Sequence, residues 1–304
     1  MGLHVSFDIA IPTASWSGHP KDLLEDLGRE LLTHREHVGR IIVAEKNSVY
    51  FVENTLFEGD EERVEDIPDP LNGPAINRNK CLPFIESEWI VFLDDDVRLV
   101  PGWGDQIMGL LASEPTCDFI GGRILARRAR NWFSQAAEDF VIRHKQQPDG
   151  WYLAAAHLVA RSDALKALDG FDRSFIYGGE DWDLSKRAII GGFSTGVSRS
   201  PAVTHEHPTT FGTLMAKAGQ YGKADALFET SPLGAESAEQ IRHNEEARGR
   251  PLELPILRAV AWPARQFAEF RKLGRSRMRS ARSTALYVPW MVKYLRSSRP
   301  RGRK

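Results

Sequence analysis

Residues 91–103 read VFLDDDVRLVPGW, and this stretch decides the fold. The apolar run that ends at Leu93 is typical of a buried strand, whereas the carboxylates at residues 94–96 repel one another and are poor strand formers. A buried strand delivers its terminal side chains to a site, where a turn, a basic cluster or a metal ion can offset the repulsion. A solvated junction between strand and turn is the structural alternative.

Hydrophobic periodicity places this strand in an alternating pattern of strands and helices. We therefore predict an α/β fold with a doubly wound, mostly parallel sheet flanked by helices, in which ligands lie beyond the carboxyl ends of the strands. The three acids occupy that edge. The predicted elements are a strand that stops at Pro12, a helix over 22–34, a strand over 39–48, a short strand near 63–67, a helix after Pro74 and a strand over 88–94.

A second informative stretch is FDRSFIYGGEDWDLSKRAIIGGF, residues 171–193. Two glycines free the backbone just before Glu180, Asp181 and Asp183, which open a predicted helix. Acids in a first helical turn are common partners of the helix dipole, and this explanation suits Asp183. Glu180 and Asp181 leave a flexible loop, a position suited to reaching a substrate.

A third stretch, SPAVTHEHPTT, alternates His205 with His207 after a short extended segment, so both can face the same side. Ordinary surface or core histidines are the commoner explanation. A divalent cation held by oxygen ligands accepts one imidazole when it is manganese rather than magnesium. The histidines are therefore candidate metal ligands.

In this order, the three stretches resemble the family 2 glycosyltransferases with the GT-A fold, over about Val5 to Phe228. The segments IPTAS, IIVAEKNS, NRNKCL and AHLVARSDALKALDGFD resemble further parts of that family. The resemblance implies a catalytic domain over residues 1–230. It also implies inverting transfer of a sugar from a nucleotide-diphosphate sugar to an acceptor hydroxyl, with Mn²⁺ or Mg²⁺ as the divalent metal.

The resemblance also implies roles for individual residues. Asp96 is the expected metal ligand, with His205 as the metal-side histidine and His207 as its alternative. Asp181 is the expected general base, with Glu180 beside it in the catalytic pair. The expected nucleotide-contacting residues are Pro12, Thr13, Glu45, Arg78, Asn79, Asp94 and Asp95. Glu45 departs from the family, which usually has aspartate there.

Two other function classes remain open. A nucleotidyltransferase would share the sheet and the metal-binding acids, but it would need a basic, glycine-rich phosphate loop, and IPTASWSGHP has no basic residue before Lys21. An inactive scaffold that binds sugar nucleotides is the second function class. Loss of Asp96 or Asp181 would favour that reading, and both are present.

Charge divides the chain into an acidic body and a basic tail. Residues 258–304 hold 14 lysines and arginines against one glutamate, a net charge of +13, which leaves −14 for the rest of a chain whose total is −1. We predict a polar helix and linker over 231–255 and a basic amphipathic helical tail over 256–304. Such a tail suits an anionic membrane surface, with packing on the body or an oligomer interface as alternatives.

The composition indicates where the protein is expected to act and which partners it is expected to bind. Two cysteines imply no disulfide framework and favour a reducing cytoplasm, and neither a signal peptide nor a membrane-spanning run is predicted. The acidic body disfavours nucleic acid as a partner. A tail at the inner face of a membrane would suit an acceptor that is lipid-linked or part of the cell envelope.

Overall fold

The computed structural model describes residues 5–14, 20–52, 61–66, 69, 71–113, 115–127, 131–137, 153–176 and 178–230, with seven separate residues between 278 and 293. Two compact units divide the chain: unit 1 comprises Met1–Arg127 and Gln147–Glu206, and unit 2 comprises Arg128–Gln146 and His207–Lys304. The linker predicted over 231–255 and nearly all of the predicted tail lie outside the described residues. The domain boundary near residue 230 stays a prediction.

Unit 1 is built on a sheet with the strand order β4-β3-β2-β1-β5-β8-β7-β9-β6. Its strands are β1 Phe7–Pro12, β2 Val38–Ala44, β3 Ser48–Val52, β4 Glu61–Asp66, β5 Trp89–Leu93, β6 Val97–Leu99, β7 Phe119–Ala126, β8 His157–Arg161 and β9 Thr195–His205. Its helices are α1 Lys21–Glu30, α2 Pro74–Cys81, α3 Trp103–Ala112, α4 Ser162–Ala167 and α5 Glu180–Ile190, with short 3₁₀ turns at Arg35–His37 and Leu82–Phe84. The predicted alternation of strand and helix is confirmed.

The centre of the sheet is parallel, as predicted, because β1 pairs in parallel with both β2 and β5. The sheet as a whole is mixed. Strand β3 was not predicted, and it pairs antiparallel with β2 because only three residues separate the two, too few for a crossover. Strand β4 is antiparallel to β3, and β8 is antiparallel to β5.

Helices cover both faces of the sheet. Alternate residues of β1, such as Ile9 and Ala10, belong to two different buried clusters, as the period of a strand requires. One cluster includes α1 and α3, and the other includes α2, α4 and α5. Both faces at the centre of the sheet are therefore apolar and covered.

Unit 2 contains helix α6, Phe211–Thr230, and a helical stretch over residues 132–137. Leu214 and Ala218 of α6 pack with alanines of that stretch, and Leu286 packs against the same cluster. Asn131 caps the stretch by accepting hydrogen bonds from the backbone N–H groups of Phe133 and Ser134. Within the described residues, no helix combines the length and apolarity needed to cross a membrane.

Candidate active site

The three acids after β5 point to three different partners. Asp94 Oδ1 accepts a hydrogen bond from Arg78 at 2.5 Å, and Asp95 Oδ2 accepts one from the hydroxyl of Thr13 at 2.6 Å. Asp96 Oδ1 lies 3.2 Å from Nε2 of His205. The repulsion expected between adjacent carboxylates is therefore offset by a separate donor at Asp94 and at Asp95, while Asp96 lies beside an imidazole.

Asp94, Asp96 and His205 form a candidate metal group. Each offers one ligand atom, and these atoms lie within 4.8 Å of one another. Strand register brings the histidine there, because β6 begins directly after the acids and pairs Val97 with His205 of β9. His207 lies two residues beyond β9 and is not part of this group as described.

The imidazole of His205 has an orientation that suits metal binding. Its Nδ1 lies 2.6 Å from the carbonyl oxygen of Glu206, and a carbonyl only accepts, so Nδ1 carries the proton. In the neutral ring, Nε2 then presents a lone pair to the Asp96 carboxylate 3.2 Å away. Two acceptors at this distance repel unless a proton or a metal cation lies between them, so the residues fit a divalent cation.

Behind this group, Arg78 joins two acids from different elements. Its guanidinium donates to Asp94 Oδ1 and to Glu180 Oε1, and its side chain is only 3% exposed. Burial alone would lower the pKa of Arg78, but the two carboxylates raise it, so the guanidinium stays charged. Burial raises the pKa of Glu180 to about 7, against the opposing effect of Arg78 and reinforced by the neighbouring charge of Asp181.

Helix α5 begins where the sequence predicts, at Glu180, after Gly179 with φ 94°. A side chain would be strained there, which explains the glycine. Asp181 is half-buried, and its Oδ1 accepts a hydrogen bond from the backbone N–H of Trp182 at 3.0 Å. Asp183 lies in the first turn, as predicted, and also forms a 2.6 Å ion pair with Arg187.

Three of the residues expected to contact the nucleotide, Pro12, Thr13 and Glu45, lie where strands end. Pro12 and Thr13 end β1 at the same edge as the acids, and the backbone N–H of Thr13 donates to the carbonyl of Ala44. Glu45 follows β2 and accepts a hydrogen bond from Tyr50 at 2.9 Å. The structure brings these positions to the ends of neighbouring strands.

Asn79 differs from the others because both ends of its amide bind the backbone of Phe171. The nitrogen donates to the carbonyl at 2.6 Å, and the oxygen accepts from the N–H at 2.8 Å. Asn79 therefore holds the backbone of the turn at Phe171 in place. Its contact with the nucleotide stays a prediction.

Sequence reasoning missed two residues that shape the site. Asn77 donates from Nδ2 to the carbonyl of Thr13 at 3.0 Å, and Lys80 donates to the carbonyls of Glu45 and Lys46. Both lie in NRNKCL, where their spacing of three residues, which puts them on one side of a helix, was the available signal. The two side chains fix the ends of β1 and β2.

Comparison with known proteins adds an independent finding. Residues 89–222 match the family model described as glycosyl transferase family group 2. The pre-mycofactocin glycosyltransferase of two Mycobacterium tuberculosis strains is 29% identical over 213 residues, which is 64% of this chain and 44% of that protein. The chain thus spans less than half the length of the curated relatives it matches.

Two solved structures share the fold. S. aureus TarS 1-349 in complex with UDP-GlcNAc matches with a TM-score of 0.50 and 13% identity, covering 97% of this chain and 90% of that one. Mannosyltransferase PcManGT from Pyrobaculum calidifontis, in complex with GDP-Man and Mn²⁺, matches with a TM-score of 0.54 and 14% identity, covering 95% and 86%. The chain is therefore similar to family 2 glycosyltransferases over residues 89–222, and it has the GT-A fold.

Proposed function

We propose that this protein is an inverting, metal-dependent glycosyltransferase that moves a sugar from a nucleotide-diphosphate sugar to an acceptor hydroxyl. The observation that carries the proposal is the convergence of Asp94, Asp96 and His205, with ligand atoms within 4.8 Å of one another, at the carboxyl edge of the sheet. The two structural neighbours bound to UDP-GlcNAc and to GDP-Man with Mn²⁺ support this class of donor.

Asp94, Asp96 and His205 would hold the divalent cation. Two carboxylates and one imidazole suit manganese better than magnesium, which prefers oxygen ligands alone. A bound cation would neutralise negative charge on the diphosphate leaving group. The family resemblance makes Asp96 the principal ligand of the three.

The chain's own residues supply the rest of the chemistry. Asp181 takes the proton of the acceptor hydroxyl as that hydroxyl attacks the sugar, while Glu180 beside it is anchored by Arg78. The hydrogen bond between Thr13 and Asp95 holds the ends of β1 and β5 together at the edge that receives the nucleotide. Attack from the face opposite the leaving group inverts the anomeric configuration, which analysis of the product by NMR would check.

Calorimetry of UDP, GDP and dTDP with Mn²⁺ or Mg²⁺ tests the donor site directly. We expect metal-dependent binding of one nucleotide, and we expect Asp96→Ala to weaken it. Asp105→Ala is a matched control, because Asp105 also pairs with an imidazole, that of His34 at 2.8 Å, but is not part of the metal group. Undiminished binding in Asp96→Ala, with or without metal, would contradict the assignment.

We also propose that the acceptor is a lipid-linked or cell-envelope glycan, reached by a C-terminal tail that binds the cytoplasmic face of the membrane. The +13 charge of residues 258–304 supports this part of the proposal. Anionic vesicles should co-sediment the full chain at low salt, and salt or truncation before Leu254 should release it. Failure to sediment would favour a tail that packs on protein or forms an oligomer interface.

A further inference from the structure

Arg78, which anchors Glu180 in the proposed reaction, makes a second contact that the proposed reaction does not use. It lies on α2, and its two terminal nitrogens donate to acids on two other elements. Asp94 follows β5, and Glu180 is the first residue of α5, 102 positions from Arg78 along the chain. One guanidinium therefore connects a strand end to a helix start.

The surroundings hold this guanidinium in one orientation. It lies over the ring of Phe171, with 5.5 Å between the guanidinium carbon and the ring centroid. The Phe171 backbone is fixed in turn by both ends of the Asn79 amide. Gly170 has φ 65°, and a Cβ there would lie 2.6 Å from Asn79 Oδ1, so the turn requires glycine.

The hydrogen bonds of this network are incomplete. Among the described residues, Nε of Arg78 and Oε2 of Glu180 are buried side-chain atoms without a hydrogen-bond partner. A network that served stability alone would be expected to satisfy such atoms, because each costs about 1–3 kcal/mol when buried and unpaired. The arrangement therefore favours a functional role over a purely structural one.

We propose that Arg78 is the positioning residue that sets the separation between the metal group and the catalytic base. Asp94 belongs to the metal group, and Asp181 directly follows Glu180, so fixing Asp94 against Glu180 fixes the two halves of the site against each other. This inference rests on the proposed glycosyl transfer. It replaces the expected contact between Arg78 and the nucleotide by an action through two acids.

The two donor nitrogens of the arginine guanidinium are essential to this role. Lysine carries a single ammonium and cannot reproduce the two fixed donor directions of a guanidinium. With the side chain 3% exposed, water cannot readily replace the lost contact. Geometry within a catalytic site is exacting, and a displacement of about 1 Å can lower turnover by about 100-fold.

The test compares Arg78→Lys with Arg161→Lys. Arg161 is a matched control because it also bridges a carboxylate and an aromatic ring, Glu88 at 2.5 Å and Trp89 at 4.4 Å, at the opposite end of β5. The probes are UDP-glucose, UDP-GlcNAc and GDP-mannose with Mn²⁺, assayed for release of the nucleotide. Calorimetry gives the Kd of the matching nucleotide with Mn²⁺.

We expect Arg78→Lys to lower kcat by about 100-fold or more while the Kd changes by less than about fivefold. Arg161→Lys should leave both near the wild-type values. A second measurement combines Arg78→Lys with Glu180→Gln, whose effects on kcat should be non-additive if Arg78 acts through Glu180. If Arg78→Lys does not fold, Glu180→Gln is used as the test by itself. The neutral amide of the glutamine keeps an oxygen that can accept a hydrogen bond from Arg78, but this bond is weaker than the ion pair.

Several outcomes would overturn the inference. Turnover near the wild-type value in Arg78→Lys would overturn it. If Arg78→Lys does not fold, turnover near the wild-type value in Glu180→Gln would overturn it instead. Equal losses in kcat and in nucleotide affinity would show that Arg78 contacts the donor. If the wild type binds none of UDP, GDP and dTDP and releases no nucleotide from the three donors, the proposed function itself fails. Activity in the wild type without an Arg78 effect removes only the positioning role.

Discussion

Two arginines in unit 1 each bridge a pair of carboxylates, and their surroundings differ. Arg98 of β6 donates twice to Asp26 of α1, at 2.6 and 2.8 Å, and once to Asp22 at 2.7 Å. Asp26 also accepts from Arg29 and from the backbone N–H of Leu99. Burial would raise the pKa of Asp26, but these hydrogen bonds together lower it.

The Arg78 network has the opposite character. It leaves Glu180 Oε2 without a partner among the described residues, and burial raises the pKa of Glu180 to about 7. A network that satisfies every acid stabilises the fold, whereas one that retains a strained acid beside a metal group is suited to chemistry. We therefore propose that the Arg98 network serves stability and the Arg78 network serves function, and four predictions test this difference.

The largest effect is expected at Asp181, next to the Arg78 network. Asp181→Asn should lower kcat by about 10²–10⁴-fold, because a general base acts mainly in the transition state, while nucleotide affinity stays nearly unchanged. Asp183→Asn is the control on the same helical turn. Its acid is paired with Arg187, so stability should fall and turnover should not. Wild-type turnover in Asp181→Asn would assign the base to another residue.

An intermediate effect is expected at the histidine of the metal group. His205→Ala should weaken binding of Mn²⁺ in the presence of nucleotide by at least about 10-fold, because it removes a ligand from the group. Calorimetry or the electron paramagnetic resonance of Mn²⁺ measures this affinity. His207→Ala is the matched control. If only His207→Ala weakened the binding, the choice between the two histidines would be reversed.

The smallest effect concerns stability and pH. Between about 4.5 and 7, folded Glu180 holds more proton than the unfolded chain does, so its contribution makes the protein less stable as pH rises. Glu180→Gln removes this loss but weakens the attraction to Arg78, so we expect a net gain in unfolding free energy of about 1 kcal/mol at pH 8. Chemical denaturation at pH 5 and pH 8 measures it.

The Arg98 network should respond with the opposite sign. Asp26 has a lowered pKa, so its stabilisation is present above its ordinary value near 3.8 and is lost as pH falls through the lower folded value. Asp26→Asn should therefore lower stability at neutral pH, by about 1–3 kcal/mol. Equal signs for Glu180→Gln and Asp26→Asn would remove the distinction between the two networks.

The sequence by itself determined the local elements and the acids that end them. Continuous apolar residues specify β5 as a buried strand, and the glycines before Glu180 specify where α5 begins. The order of the three chemical stretches was sufficient to predict the GT-A fold and the similarity to family 2 glycosyltransferases. These features depend on neighbours within a few residues of one another, so a single chain displays them.

Only the tertiary structure decided how distant residues combine. Strand register brings His205 opposite Val97 and into the candidate metal group, while the two-residue alternation in the sequence left His205 and His207 equivalent. Packing of α2 against the sheet places Arg78 between two acids that no local pattern connects. Such contacts depend on which buried surfaces meet, and this is determined by the packing of the whole domain rather than by any short stretch of the chain.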